Sequence, residues 1–434
     1  MELIEVILSK ENLNRAYKKV VSNKGASGVD GVTVEELGDY IRENKDEIVT
    51  SIRNRTYIPK PVRRVYIPKD NGKQRPLGIP TALDRTIQQA IAQPISDIYE
   101  EIFSDYSYGF RPGRSCHDAI RQALNYLNDG YEWVVDIDIE QFFDKVNHDK
   151  LIQILRGQVN DSTTLNLIRK YLKAGVMEKG LEKATITGVP QGGPLSVVCS
   201  NIYLDKLDKE LEQRGLRFTR YADDVLIFTK SEMAANRVMK SICSWLERKL
   251  FLKVNATKTK VVRPTRSKYL GFTFLKNGSE WKVRPTNEKK KKLKKKLSEY
   301  LKRGKAVARP LAVTIKRVNE IVRGWINYFR IGMMKLFMEE FGEWLRHKIR
   351  VILMKQWKRP KTIYRNLSYL NWKYKTGCNQ EEIFKVANSR LGWYRRCGMS
   401  VVNFIISKDL LENRIKDGAG LLNPLSYYLV KAGI

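Results

Sequence analysis

Cysteine and histidine are scarce in this chain of 434 residues, five of the one and three of the other. Cys116, Cys199, Cys243, Cys378 and Cys397 show no pairing-like spacing and form no Cys-x-x-Cys. That argues against a disulfide framework, a zinc site and a zinc-dependent nuclease appendage, and for a reduced compartment. Long apolar runs are also missing, and none approaches the roughly 18 residues of a membrane-spanning helix. No basic segment leads into an apolar stretch at the N-terminus, so a secretory signal is not expected and the expected location is cytoplasmic. There is no internal repeat and no Gly/Ser linker. Negative charge is short as well: Asp and Glu total 47 against 80 Lys and Arg, leaving +33. Such an excess repels itself in the compact state and calls for a polyanion. Nucleic acid is the natural one, because each neutralised phosphate releases counterions. A membrane surface would want a basic amphipathic helix beside an apolar anchor.

What is present is a chain 42% apolar, which predicts a globular protein of two or three domains. Residues 1–45 look mostly helical, broken by a loop at Lys24-Gly25-Ala26-Ser27-Gly28-Val29-Asp30-Gly31 with positive-φ positions. Residues 62–80 alternate like a strand pair around Lys69-Asp70-Asn71-Gly72-Lys73, a hairpin pattern. Apolar spacing from Leu83 through Ile98 predicts a helix over 83–103. After Pro285 the texture changes: residues 284–310 hold twelve Lys or Arg against two Glu. Leu293, Leu297, Tyr300 and Leu301 fall on one face of a basic helix at 289–305. Further helices are expected through Ile315–Phe329 and near 335–357. Boundaries fall near 284 and Pro360.

Two short strand runs carry acids. Trp133–Ile139 places Asp136 and Asp138 on one face, and period two does not choose between them. Arg217–Tyr221 and Val225–Phe228 flank Ala222-Asp223-Asp224, a hairpin with carboxylates at its tip. Taken alone, an Asp-Asp turn is most often a solvated turn. Together the strands would gather carboxylates suited to Mg²⁺, which prefers oxygen ligands and keeps waters. A cluster of that kind raises its own pKa values without a metal.

The order of motifs decides the matter. Arg63–Lys69 through Gln74–Pro80, Asp84–Ala90, Tyr108–Ser115, Asp138-Ile139-Glu140-Gln141-Phe142-Phe143-Asp144 and Pro190–Ser196 come first. Tyr221-Ala222-Asp223-Asp224, Lys258-Thr259-Lys260, Tyr269–Phe272 and Arg323–Phe329 follow. This series resembles the bacterial group II intron-encoded reverse transcriptases, also called maturases, almost end to end. The resemblance implies an α+β right-hand polymerase fold: fingers and palm of antiparallel sheet plus helices, a helical thumb and a small C-terminal domain. It implies fingers and palm over 1–284 with an N-terminal extension to about 45, a thumb or maturase domain over 285–359, and a DNA-binding domain over 360–434.

The same resemblance assigns roles. Asp138, Asp223 and Asp224 would be catalytic and hold two Mg²⁺ ions (Mn²⁺ as a substitute), with the backbone carbonyl of Ile139 facing a metal. Asp136 becomes a secondary acid and Asp144 a structural one. Phe143 would sit under the sugar of the incoming nucleotide and clash with a 2′-hydroxyl, while Phe142 is the better core aromatic. Lys69 and Arg75 would reach the triphosphate. Gln191 and the glycines after it would let the backbone approach the nucleotide. Lys258 is a candidate proton donor to the departing pyrophosphate, beside a plainer reading as a basic surface residue. Arg63, Arg111, Gly271, Lys289, Lys290, Lys291, Lys292, Lys295 and Lys296 would line nucleic acid, through phosphates and 2′-hydroxyls. Trp344, Trp357, Trp372 and Trp393 stand among basic residues; their helical setting puts most in the core and leaves some to stack on unpaired bases.

The expected partners are group II intron RNA, an RNA template with its DNA primer, dNTPs and target DNA, with no membrane and no zinc. The function implied is RNA-directed DNA polymerisation together with assistance to intron splicing and retrohoming, in a ribonucleoprotein at the nucleoid. The absence of a cysteine-bearing endonuclease after Ile434 resembles the compact subclass C forms, and implies priming from nascent or existing DNA ends. Alternatives are a free-standing domesticated or defence-associated reverse transcriptase, or an RNA-binding splicing factor without polymerase activity. Asp138, Asp223 and Asp224 are all present, and their loss would mark the splicing factor.

Overall fold

Alternation of apolar and acidic residues at 133–138 produces the strand on which the acids are mounted. A computed structural model describes residues 2–68, 72, 74–178, 180–190, 192–413 and 420–434. The chain divides into two units, Met1–Ser267 and Lys268–Ile434.

The first unit begins with helices α1 (Leu3–Leu8), α2 (Lys10–Ser22) and α3 (Leu37–Arg53). Between α2 and α3 runs the glycine-bearing loop, with Lys24 and Gly31 at positive φ. Strands β1 (Val62–Pro68) and β2 (Gln74–Ile79) pair antiparallel, from Arg63 opposite Ile79 to Pro68 opposite Gln74. Helix α4 (Ala82–Glu100) and helix α5 (Cys116–Asn128) precede the acid strand β3 (Trp133–Asp138). Then come α6 (Phe142–Lys145), α7 (His148–Arg156) and α8 (Ser162–Lys173), and the short strands β4 (Val176–Glu178) and β5 (Leu181–Lys183). These last two complete a sheet in the order β2-β1-β4-β5. Helix α9 (Pro194–Gln213) starts with Pro194, whose fixed φ suits a first turn. It leads to β6 (Arg217–Tyr221), β7 (Asp224–Thr229), α10 (Glu232–Leu250) and β8 (Lys260–Val262).

Strands β6-β7-β3-β8 form an antiparallel sheet. Its two faces follow from the strand period. Val135, Ile137, Val225 and Ile227 enter a core shared with Ile91, Ile95, Phe142, Tyr203, Leu207, Ile242 and Leu246. On the other face lie Asp136 and Asp138, with Leu226 and Asp224 opposite them on β7.

The second unit opens with β9 (Lys268–Tyr269), β10 (Phe272–Asn277) and β11 (Glu280–Pro285) in the order β11-β10-β9. The basic helix α11 (Asn287–Tyr300) is capped by Thr286, whose hydroxyl accepts from Lys289 N. It ends before the expected limit of 305, because Leu301 and Lys302 turn the chain into the short helix α12 (Arg303–Ala306). Helices α13 (Leu311–Phe329) and α14 (Lys335–Trp357) follow, then α15 (Pro360–Tyr374), α16 (Gln380–Asn388), α17 (Trp393–Arg396), α18 (Ser400–Ile405), α19 (Lys408–Asn413) and α20 (Pro424–Ala432). Ile315, Val318, Val322, Ile326 and Phe329 form the buried stripe of α13, as their spacing predicts.

The tryptophans correct an expectation. None of Trp344, Trp357, Trp372 and Trp393 is buried, and Trp372 is 74% exposed. They lie off the apolar stripes, and cations cover two of the rings: Lys348 stands 5.8 Å from the Trp344 centroid and Arg396 4.9 Å from that of Trp393. None of the five cysteines is joined in a disulfide. Among the described residues no helix is long and apolar enough to cross a membrane.

Candidate active site

The hairpin between β6 and β7 is closed by two residues. Tyr221 pairs with Asp224, leaving Ala222 and Asp223 as the turn. Ala222 has φ 57°, a left-handed conformation that costs a residue with a Cβ about 1 kcal/mol. On the neighbouring strand Asp138 lies directly opposite Asp224, while Asp136 lies two residues inward, opposite Leu226. The register thus separates two acids that strand period alone left equivalent. Asp138 shares the turn's end of the sheet with Asp223 and Asp224, and Asp136 does not.

Electrostatics agree with the crowding. Asp224 keeps an open face to solvent. The protein packed round its carboxyl, then the charges of Asp223, Asp136 and Asp138, push it up to about 6, with Lys258 pulling the other way. Burial likewise pushes Asp136 up to about 6, against Lys260, whose Nζ stands 3.9 Å away. Lys258 Nζ donates to both oxygens of Asp138, at 2.9 and 3.2 Å. The Asp138 amide donates to Thr259 Oγ1 and its carbonyl accepts from Asn255 N, so the 255–259 loop holds the end of β3 from both sides. Among the described residues no three His, Cys, Asp or Glu side chains form a ready-gathered metal cluster. The donors are nonetheless carboxylates alone, an oxygen set of the kind Mg²⁺ takes. Ile139 buries its side chain in the core, which leaves only its backbone for any other part.

Phe142 and Phe143 separate as their positions suggest. Phe142 is buried against Tyr203, with ring centroids 6.4 Å apart. Phe143 is half-buried on a cleft of about 360 Å³ that Val62, Arg64, Thr187 and Pro190 also line. The segment before α9 is stitched to this phenylalanine: Val189 N donates to Phe143 O and Gly188 N to Val146 O. His148 Nε2 lies 2.7 Å from Gly188 O. Asp144 is exposed and its backbone abuts Gly188, where a Cβ would come within 2.9 Å.

The remaining expected residues are dispersed. Lys69 and Gln191 lie outside the described residues. Arg75 is exposed on β2 opposite Ile67. Gly192, at φ 131°, would drive a Cβ to 2.4 Å from Gly78 O, so its bareness admits the strand β2. Arg63 Nη2 donates to Ser27 O and pins the glycine-bearing loop.

Arg111 requires a correction as a nucleic-acid contact. Its side chain is 2% exposed and forms a forked bond to Glu100, with Nη1 donating to the carbonyls of Ser104 and Ser107. Its donors are turned inward, so it shapes the 104–111 loop.

In the second unit Gly271 follows Leu270 in a turn where both have positive φ, between β9 and β10. Lys291, Lys292, Lys295 and Lys296 are exposed on α11. Lys290 and Lys294 instead lie over Phe337, 5.0 and 5.6 Å from its centroid, and Lys289 reaches past Gly271.

A group that sequence reasoning missed lies beneath the acid turn. Arg220 and Asp208 are both fully buried and joined by a forked ion pair. The signal was available: Arg220 occupies the core face of β6, opposite Val225, and Asp208 interrupts the apolar run Leu204, Leu207, Leu211 of α9.

An antiparallel sheet with acids at a two-residue turn, backed by helices and joined to a hairpin sheet, defines the class: a polymerase of the right-hand fold. Residues 67–274 match the reverse transcriptase (RNA-dependent DNA polymerase) family, and residues 290–370 match the maturase-specific domain of group II introns. The group II intron-encoded protein LtrA of Lactococcus lactis is 42% identical over 206 residues, covering 47% of this chain and 34% of its own. Protein YkfC of Escherichia coli is 35% identical over 313 residues, covering 63% of this chain and 81% of its own. The chain thus spans about a third of the one relative and most of the other. Among solved structures, a telomerase from Candida tropicalis covers 52% of this chain and 55% of its own at 15% identity, with a TM-score of 0.42, too distant to add to the fold. The chain belongs to the group II intron reverse transcriptase and maturase family.

Proposed function

We propose that this protein copies RNA into DNA by adding dNTPs to a primer 3′-hydroxyl, at the end of the sheet where Asp138, Asp223 and Asp224 meet. The observation that carries the reading is the direct pairing of Asp138 with Asp224, with Asp223 in the adjoining turn. Asp138 and Asp223 are the principal ligands for a pair of Mg²⁺ ions, supported by Asp224 and the Ile139 carbonyl. When bound, such ions supply Lewis-acid activation of the primer oxygen and neutralise the leaving pyrophosphate.

The chain's own residues do the rest. Lys258, bonded to Asp138, is a cation within reach of the same site and serves as the candidate donor of a proton to pyrophosphate. Phe143, on the wall of its cleft, excludes a 2′-hydroxyl by a steric clash. Lys69, Arg75 and Gln191 hold the incoming nucleotide. The exposed lysines of α11 and the excess of +33 hold RNA and the template–primer duplex. The working division is fingers and palm over 1–284, a maturase-type thumb over 285–359 and a DNA-binding region over 360–434. The match of 290–370 to a maturase domain supports a second role, binding a group II intron RNA to assist its splicing and retrohoming.

Primer extension on an RNA template with Mg²⁺ and dNTPs tests the first role. Extension is expected from the natural protein and lost with Asp138→Ala or Asp223→Ala, while both variants still bind RNA. Extension intact in both variants would sink the site. Splicing of a group II intron at limiting Mg²⁺, with and without the protein, tests the second.

A further inference from the structure

We propose that the buried pair Arg220–Asp208, with Asn201, is a positioning device for the acid turn: it fixes the Ala222 carbonyl and thereby where Asp223 and Asp224 present their oxygens. The inference rests on the polymerase reading and adds residues that touch neither substrate nor the reacting atoms.

The geometry is directional. Arg220 Nε donates to Asp208 at 2.7 and 2.9 Å, and Nη2 donates to the same carboxylate. This spends one edge of the guanidinium on its counter-ion and leaves Nη1 aimed toward the turn. Nη1 donates to Ala222 O at 3.0 Å and to Asn201 Oδ1 at 3.1 Å. Asn201 Nδ2 in turn donates to Gly109 O at 2.8 Å. Asn201 therefore ties the arginine to the 104–111 loop, which Arg111 shapes by donating to Ser104 O and Ser107 O.

That loop is the second wall of the device. Arg220 N donates to Tyr106 O and Tyr108 N donates to Arg220 O, so the loop runs beside β6 as far as the turn. Gly109 lies directly against Ala222, and a Cβ on Gly109 would come within 2.3 Å of Ala222 N. Ala222 is thus held in its left-handed conformation by a donor on its carbonyl and a backbone against its amide. A flip of the 222–223 peptide would take the Ala222 carbonyl away from a fully buried cation, so the hydrogen bond from Arg220 opposes it. Asp223 is borne directly by that peptide and Asp224 is the next residue, paired with Tyr221.

A pure stability anchor would need only the forked ion pair. The third arm, to Ala222 O, is what an arginine offers and a lysine does not, because a lysine has one donor nitrogen and no planar fork.

The experiment measures metal binding apart from turnover. Mn²⁺ is titrated into the full-length protein while the paramagnetic resonance signal of free ion is followed, and RNA-templated extension is measured on the same samples. Arg220→Lys is expected to weaken Mn²⁺ binding by about tenfold or more, the scale of a lost charge-assisted hydrogen bond. Asn201→Ala keeps the ion pair and is expected to weaken it by a few-fold. Ile242→Ala, a core truncation on α10, controls for lost stability and should leave Mn²⁺ affinity unchanged at a comparable fall in Tm. If Arg220→Lys does not fold, Asn201→Ala against Ile242→Ala still decides. Folded Arg220→Lys or Asn201→Ala protein that binds Mn²⁺ as the natural chain does would overturn the proposal, as would an equal loss in Ile242→Ala. A natural protein that neither binds Mn²⁺ nor extends a primer would overturn the polymerase reading itself.

Discussion

Asp138 and Asp224 face each other across the β3–β7 pair, on the side of the sheet away from the core. The opposite faces of the same strands bury Val135, Ile137, Val225 and Ile227. A slip of β3 by one residue would turn Asp138 into that core and Val135 and Ile137 out of it, so burial of the four aliphatics fixes the register that brings the acids together.

The first prediction follows from that pairing. Asp138→Asn and Asp223→Asn should each lower extension on an RNA template by at least about a hundredfold, the scale of an electrostatic group lost from an active site. Neither should change the melting temperature by much, because removing one of several crowded negative charges also removes repulsion. A variant that extends at more than a tenth of the natural rate would exclude its residue from the site.

Phe143 makes a different prediction. It is half-buried on an open cleft, whereas Phe142 fills the core. Phe143→Ala should raise incorporation of ribonucleotides relative to deoxyribonucleotides while leaving the fold intact. Phe142→Ala should instead destabilise by about 3–5 kcal/mol, as core aromatic truncations do. Unchanged ribonucleotide discrimination in Phe143→Ala would remove it as the sugar-sensing residue.

These two residues also mark what was legible in the sequence. Strand period and turn chemistry located the β6–β7 hairpin and the acid face of β3, because alternation survives folding. Period could not rank Asp136 against Asp138, since that ranking depends on where β3 meets β7, a contact across about ninety residues of chain. The inward turn of Arg111 was hidden for a related reason. An arginine in a Gly- and Pro-rich loop resembles a phosphate contact until Glu100 and the carbonyls of Ser104 and Ser107 close round it. The exposure of the tryptophans is hidden from helical spacing, which reports only the apolar stripe: Trp372 is 74% exposed, and cations lie over Trp344 and Trp393.

Arg111 can be tested on that difference. Arg111→Ala should destabilise by roughly 3 kcal/mol, since it strands Glu100 and two carbonyls at a buried site. The salt dependence of duplex binding should not change. Urea unfolding and binding at several salt concentrations would separate the two, and a lowered salt slope with normal stability would restore Arg111 as a nucleic-acid contact.

Asp205 predicts a pH dependence. It is 4% exposed on α9, and its Oδ1 has no hydrogen-bond partner. Burial, then the neighbouring Asp208, pushes its carboxyl from the ordinary 3.8 up to about 6. The folded state therefore holds a proton between about pH 4 and 6 that the unfolded chain has released. This group's contribution to stability falls as pH rises through that window, and its penalty is complete above about 6. Asp205→Asn removes the penalty, so the variant should gain about 3 kcal/mol over the natural protein at pH 8 and little at pH 4. Equal differences in urea unfolding at the two pH values would show that Asp205 does not carry the shift.

The last prediction concerns α11, where one run of lysines divides in two. Leu293 and Leu297 bury one stripe of the helix. Beside that stripe Lys290 and Lys294 lie over Phe337, and burial lowers the pKa of Lys290. Their stems are committed to packing; Lys291, Lys292, Lys295 and Lys296 are exposed. If the exposed four neutralise phosphates, each contributes about one unit to the slope of binding against salt. Replacing all four by glutamine should therefore flatten that slope on an RNA–DNA hybrid by about three to four units, with little change in melting temperature. Lys290→Gln with Lys294→Gln should do the reverse, lowering the melting temperature through lost contact with Phe337 and moving the slope by less than about one unit per residue. Equal slope changes from the two sets would mean that Phe337 does not hold its lysines once nucleic acid arrives.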